Sequence, residues 1–387
     1  MKIGLIAVGQ AGGKIADALF EYEFRSRETF ITDVLAVNTA KADLLGLEHV
    51  PVDNRLLIGQ SRVKGHGAGA DNVLGTEIGQ EDSIEVMNEV GSFPISQLDA
   101  FLVVAGLGGG TGSGAGPVIA RELRRQYDEP VFGLGILPGP DEGGIYQLNA
   151  ARSFKTFVDQ TDNLILFDNG AWRHGGDESL ETGYDYINRE LATRVGVLFT
   201  AGEATDATPE SVVDSSEIFN TLKGGGVSTI GYATSNLTRS HRGLLSRYKT
   251  KPRYEEADTV HQITTTVRQA ALGRLTLPCE LRGVQRALVI VAGPPEALSR
   301  KGVERSMGWI QDATGSMEVR GGDYPLPDED SIAALVLLSG VADAPRLAAL
   351  KQVAVETQQN IAAIRDEAPA ALEDLVWSGN DELKPLF

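Results

Sequence analysis

Residues 106–116 read GLGGGTGSGAG, seven glycines in eleven positions, directly after the apolar run DAFLVVA. Glycine has no Cβ, so its backbone can take positive φ and come close to a ligand. Between a strand and a helix, such a run also presents backbone N–H groups at a helix N-terminus, where an anion is favoured. Thr111 and Ser113 add hydroxyl donors. A second glycine-rich turn, GQAGGK at 9–14, follows the apolar run KIGLIAV. Two such turns on neighbouring parts of one sheet can hold a polyphosphate between them; for either one, a tight turn without a ligand is the alternative. A P-loop is excluded, because it needs a lysine and a hydroxyl after its last glycine. Here that glycine precedes Pro117, and no G-K-[ST] occurs in the chain. The dinucleotide fingerprint needs G-x-G-x-x-G on the first turn and an acid ending the second strand. GQAGGK misses that spacing and the second apolar run ends at Asn38, so an NAD-binding oxidoreductase is the weaker alternative.

Hydrolysis of a phosphate would need a polar group that orients water. In ESVVDSSEIFNTL (210–222), Asp214 and Glu217 stand i, i+3, so both carboxylates project from one side of a helix start. Asp214 reads equally as an N-cap with an acid three residues on. Tyr184 and Asn188 stand i, i+4, on one face of a helix. The five histidines lack metal-ligand spacing, and no protein metal site is expected. The single cysteine, Cys279, excludes an internal disulfide framework and fits a reducing cytoplasm as a small buried side chain.

The elements that would position these groups alternate. Strands are expected at 2–8, 33–39, 99–107, 130–138 and 163–168, with helices at 12–24, 83–92, 116–127 and 150–161 between them. That pattern implies a parallel sheet covered on both faces. A long helix over about 180–202 leads into a second region. It has strands at 228–235, 286–293 and 331–340, helices near 257–272 and 296–312, and a last helix over about 345–366. A basic loop at 238–254 is expected to be exposed, and the tail ending DELKPLF mobile.

The chain has 387 residues, enough for two domains, and a net charge of −18. That charge argues against nucleic acid, whose phosphates need clustered Lys and Arg. No apolar run is long enough to span a membrane, so no membrane insertion is expected. Only 11 of 35 basic residues are lysines, and an acidic, lysine-poor surface suits very high salt.

GGGTGSG (108–114) resembles the glycine-rich signature of the tubulin and FtsZ superfamily, and further motifs follow in that family's order. GQAGGK is similar to its first phosphate loop, AVNTAKADLL (36–45) to its second nucleotide loop and GAGAD (67–71) to its third. DEGG (141–144) puts Glu142 where a ribose-contacting glutamate falls. FDN (167–169) puts Asn169 on another nucleotide contact. YDYIN (184–188) resembles the start of the central helix, where an aromatic stacks on guanine and an asparagine hydrogen-bonds it. The resemblance implies an α/β fold with a Rossmann-like GTPase domain at 1–180, a central helix at 181–204, a smaller α+β domain at 205–345, and a helix and tail at 346–387. It implies GTP or GDP bound by Gln10, Ala11, Gly12, Gly13, Lys14, Asn38, Gly69, Ala70, Asp71, Gly108, Gly109, Gly110, Thr111, Gly112, Ser113, Glu142, Asn169, Tyr184 and Asn188. Mg²⁺ would be held mainly through phosphates and water, with Asp71 either helping through water or capping a helix.

Asp214 and Glu217 resemble the catalytic acids that act on the nucleotide of the neighbouring subunit. The partner is therefore a second copy, head-to-tail, in protofilaments and their sheets, since a heterologous contact that does not close makes filaments. One departure is Tyr146, which stands where FtsZ-like proteins have an arginine. LIGQSRVKGHGAGADN (57–72) and LPGPDEGGIYQLNAARSF (137–154) are more similar to the archaeal CetZ group, cytoplasmic cytoskeletal proteins linked to cell shape. A division-ring protein of the FtsZ kind and a nucleotide-binding regulator that polymerises poorly are the alternatives.

Overall fold

The computed structural model describes residues 1–173, 180–201, 213–237, 256–326 and 329–377, without the side chains of 180–182 and 362–377. The first half runs β1 (Ile3–Val8), α1 (Gly9–Ser26), β2 (Ile31–Asn38), α2 (Lys41–Leu45), β3 (Arg55–Leu57), α3 (Gln60–Val63), α4 (Asn72–Glu81) and α5 (Ser83–Val90). It continues through β4 (Ala100–Gly106), α6 (Gly110–Gln126), β5 (Val131–Leu137), α7 (Gly144–Gln160), β6 (Asn163–Asp168) and α8 (Asn169–Trp172). The long α9 (Leu180–Thr200) follows, then α10 (Ser215–Leu222), β7 (Val227–Asn236), α11 (Glu256–Leu272), β8 (Arg286–Gly293), α12 (Arg300–Thr314), β9 (Glu318–Pro325), β10 (Ser331–Ser339) and α13 (Pro345–Trp377).

All ten strands join one sheet in the order β3-β2-β1-β4-β5-β6-β7-β10-β8-β9. From β3 to β7 every pairing is parallel. β1 is buried at all six residues because helices cover both faces. Its side chains alternate: Ile3, Leu5 and Ala7 join one core, Ile6 and Val8 the other. The order reverses between β1 and β4, and in such sheets a crevice opens beyond the carboxyl ends of the strands at that switch. Both glycine-rich turns leave from there.

The second region extends the same sheet. β6 and β7 pair over Leu164–Val227 and Ile165–Ser228, and β10 then runs antiparallel to β7 and β8. α9 packs on α1, and its Phe199 carbonyl accepts from the Met1 ammonium at 2.7 Å. The far end of α9 therefore lies where β1 begins, at the edge opposite the switch crevice. Among the described residues no helix is long and apolar enough to cross a membrane.

The glycine turns differ from expectation in two respects. Helices begin inside them, α1 at Gly9 and α6 at Gly110, and positive φ occurs at Gly9 (+76°) but at no residue of 106–116. The run works by close approach. A Cβ on Gly9 would lie 2.9 Å from the Gly112 amide nitrogen, and one on Gly114 2.6 Å from the Asn72 carbonyl oxygen. The first glycine pair lets the two turns touch; Gly114 lets α6 cross α4. The expected basic loop at 238–254 and the tail beyond residue 377 lie outside the described residues.

Candidate functional site

A cleft of about 950 Å³ opens at the switch point. One wall is backbone. Gly9, Gln10 and Ala11 begin α1, and Gly110, Thr111 and Gly112 begin α6. Neither helix has a side-chain N-cap bond, so the orphan N–H groups of two long helices face one space. Gly109 leaves room for a ligand, since a Cβ built there meets nothing within 4 Å. Lys14 also lines the cleft, its Nζ donating to the Gly46 carbonyl at 3.1 Å. A buried hydroxyl pair, Thr39 and Thr111 with oxygens 2.7 Å apart, ties the end of β2 to the glycine-rich turn.

The loop before α4 closes one side. Gly69 and Ala70 line the cleft, both at positive φ, +57° and +60°. Ala70 pays strain in that conformation. Asn149, 1% exposed, holds it: its Nδ2 donates to the Ala70 carbonyl at 2.7 Å and the Gly108 carbonyl at 3.0 Å. No sequence signal marked Asn149, because its two partners are remote in the chain.

Asn38, Glu142, Asn169, Tyr184 and Asn188 also line the cleft. The Asn38 Oδ1 accepts from the Ala40 N–H at 3.1 Å and its Nδ2 donates to Asp43. The Glu142 carboxylate accepts from the Gly139 N–H at 2.7 Å and from the Tyr184 hydroxyl at 3.4 Å. Burial, with Glu142 beside it, pushes the Tyr184 phenol up. Tyr146 also lines the cleft, so the departure from the FtsZ-like arginine falls in the wall.

Four expected binding residues do not line the cleft. Gly12 makes room for β4, since a Cβ there would lie 2.5 Å from the Val104 carbonyl oxygen, and Gly13 packs against Leu47. Ser113 turns its hydroxyl back to the Gly109 carbonyl. The Asp71 carboxylate caps α4, accepting from the Val73 and Leu74 N–H groups at 3.0 Å. Sequence reasoning missed His66, Asp43 and Asp185, which do line the cleft. Among the described residues no cluster of three or more His, Cys, Asp or Glu is arranged to hold a metal ion.

Asp214 and Glu217 do not line the cleft. The chain leaves the cleft along α9, and Thr200 lies twelve residues beyond Asn188, about 18 Å along the helix. Asp214 caps α10: its Oδ1 accepts from the Glu217 N–H at 3.0 Å and the Ser216 hydroxyl at 2.5 Å. The Ser216 bond holds the Asp214 carboxyl below its ordinary range. Glu217 is half-buried; burial and the Asp214 charge push its carboxyl up, against the pull of Arg320.

Residues 2–176 match the family described as tubulin/FtsZ family, GTPase domain, and residues 177–356 match tubulin-like CetZ, C-terminal domain. The chain is 58% identical over 391 residues to the tubulin-like protein CetZ3 of Haloferax volcanii, covering all of both. It is similar to the GDP-bound monomer of CetZ1 from that organism, with a TM-score of 0.83 and 56% identity over 92% of this chain and 100% of the other. It is likewise similar to a GTPγS-bound protofilament of its CetZ2, with a TM-score of 0.83 and 43% identity over 93% and 99% of the two chains.

Proposed function

We propose, from the premise that this chain belongs to the tubulin-like CetZ family, that it binds GTP in the switch-point cleft, assembles head-to-tail and hydrolyses GTP where two copies meet. The observation that carries the reading is the convergence of two uncapped helix N-termini, of α1 and α6, on one cleft. Their N–H groups are donors for a polyphosphate that needs no P-loop lysine. Tyr184 offers a ring to the base. The Asn188 amide offers a donor and an acceptor, which suit the O6 and N1–H edge of guanine. Glu142 and Asn169 are assigned to the guanosine end.

Mg²⁺ would neutralise phosphate charge beside Thr111 and Asp43, held mainly by phosphate oxygens and water. The Asp71 carboxylate is already engaged at the start of α4, so the capping role is preferred for it.

Because the acids do not line the cleft of their own chain, Glu217 is assigned to orient water at the γ-phosphate of the next copy, with Asp214 fixing its helix. Self-association is supported by the protofilament of the CetZ2 relative. A cytoplasmic filament that shapes the cell is the use we infer from family membership. Electron microscopy of the purified protein in several-molar KCl, with GTP, GDP or no nucleotide, tests the reading. Filaments with GTP and phosphate release that rises with filament mass are expected. Turnover by dispersed monomers, or equal affinity for ATP and GTP in competition, would overturn it.

A further inference from the structure

One side chain ties the C-terminal helix to the cleft wall. Arg346 is the second residue of α13, and its side chain is 11% exposed. Its Nε donates to Asp168 Oδ1 at 3.2 Å. Its Nη2 donates to the Pro138 carbonyl at 2.6 Å and to Gln147 Oε1 at 2.9 Å. Gln147, 1% exposed, passes the contact on, its Nε2 donating to the Gly139 carbonyl at 2.6 Å and the Glu142 carbonyl at 3.3 Å. Pro138 and Glu142 belong to the cleft wall. Asp168 immediately precedes Asn169 and caps α8 by accepting from the Gly170 N–H at 3.1 Å. A single planar fork therefore holds the two chain segments that carry Glu142 and Asn169. A lysine could supply the charge but not the fork.

We propose that Arg346 is a positioning residue for the guanosine end of the nucleotide, fixing the 138–142 loop and Asn169 from the C-terminal helix. The proposal rests on the assignment of Glu142 to the ribose. None of these hydrogen bonds reaches the phosphate turns or the acids at α10, so the proposal predicts a selective defect.

The test is Arg346→Met in the full chain, titrated with GDP, GTPγS and 2′,3′-dideoxy-GDP. Affinity for GDP and GTPγS should fall by the same factor, on the order of tenfold for a displaced contact. Turnover at saturating GTP and equal filament mass should stay at the wild-type value. The wild-type preference for GDP over the dideoxy nucleotide should shrink toward one, and Arg346→Lys should restore part of it. A general loss of packing would weaken all three nucleotides and leave that preference intact, which overturns the proposal. Gln147→Ala, which leaves the ion pair in place, should collapse the same preference. An unchanged ratio there overturns the proposal even if Arg346→Met does not fold. A wild type that binds no guanine nucleotide sinks the functional reading as well, whereas normal wild-type binding with an unaffected Arg346→Met sinks this proposal alone.

Discussion

The cleft and the acid-bearing helix α10 use opposite building methods. In the cleft the groups offered to a ligand are mostly backbone N–H groups, fixed by buried central strands and by turns in direct contact. At α10 they are two side chains at the start of an eight-residue helix, the N-cap Asp214 exposed and Glu217 half-buried. The two acids also differ from each other. Asp214 is committed to a hydroxyl and an N–H and is held in its charged form; Glu217 is destabilised in its charged form by burial and by Asp214. On the proposed reading the backbone cradle is complete within one chain, whereas the acids, which do not line the cleft of their own chain, are half a site. The comparison teaches that binding and hydrolysis can be damaged separately.

The largest separation is expected from Glu217→Ala. Turnover should fall about 10²–10⁴-fold, the usual loss for a group that moves or orients a proton in the transition state. GTP affinity should not change, and filaments should persist longer because the GTP that supports them is not consumed. Because burial and the Asp214 charge push the Glu217 carboxyl up, wild-type turnover should decline on acidification sooner than for an unperturbed glutamate. Steady-state phosphate release, at protein concentrations where filaments form, measures both effects. Wild-type turnover in this variant would leave Asp214 and Glu217 as a helix cap and nothing more.

The converse damage is Gly109→Val. A Cβ at Gly109 meets no protein atom, so the variant should fold while placing its side chain where the backbone should approach phosphate. Nucleotide affinity should drop by about 10²-fold, the scale of a misplaced binding group, with circular dichroism unchanged. Gly110 is a poorer choice, because its Cβ would press on Ala68 at 2.9 Å and on Asp71. Mixing Gly109→Val with Glu217→Ala sharpens the comparison further. Contacts that pair an intact acid helix with an intact cleft should recover hydrolysis that neither variant shows alone; a mixture as inactive as its components would contradict the shared site.

The glycine turns were legible in the sequence because their signals are local. Glu142, Tyr184 and Asn188, which also line the cleft, were reached only through the ordered set of motifs that resembles the tubulin and FtsZ superfamily. What escaped has physical reasons. Helix α4 contains Gly75 and Gly79, which read as helix breakers; in the fold they are notches against α6, Gly75 facing the Gly110 carbonyl. Strand β9, EVRGGDYP, has two glycines and no apolar alternation, and most of its residues are only partly buried. Asn149 and Arg346 hold the cleft through residues 41 to 208 positions away, and no local pattern reports such a partner.

A smaller effect is expected at the base end. Asn188→Ala should weaken GTP binding by about 1–3 kcal/mol if it strands a buried guanine edge. ATP should be affected little, so a competition titration should show GTP selectivity falling. A uniform loss for both nucleotides would assign Asn188 to packing.

The smallest effect belongs to the acid side of the comparison. The Asp323 carbonyl accepts from the Val213 N–H at 3.4 Å, directly before Asp214. Burial pushes the Asp323 carboxyl up from 3.8 to about 6, and its Oδ1 has no hydrogen-bond partner. Between those two values the folded chain holds a proton that the unfolded chain has released. Stability therefore falls as pH rises through about 4 to 6, and the cost remains at neutral pH. Two pKa units correspond to at most about 3 kcal/mol. The side chain is partly exposed, so solvent screening reduces the cost to about 1 kcal/mol. Asp323→Asn should raise the melting temperature by roughly 1–2 °C at pH 8, and should raise it negligibly at pH 4, where the native aspartate is already neutral. An equal gain at both pH values would trace the effect to packing rather than charge. Because the change lies outside the cleft, GDP affinity should stay at the wild-type value, and a shift in it would show that the two regions are coupled within one chain.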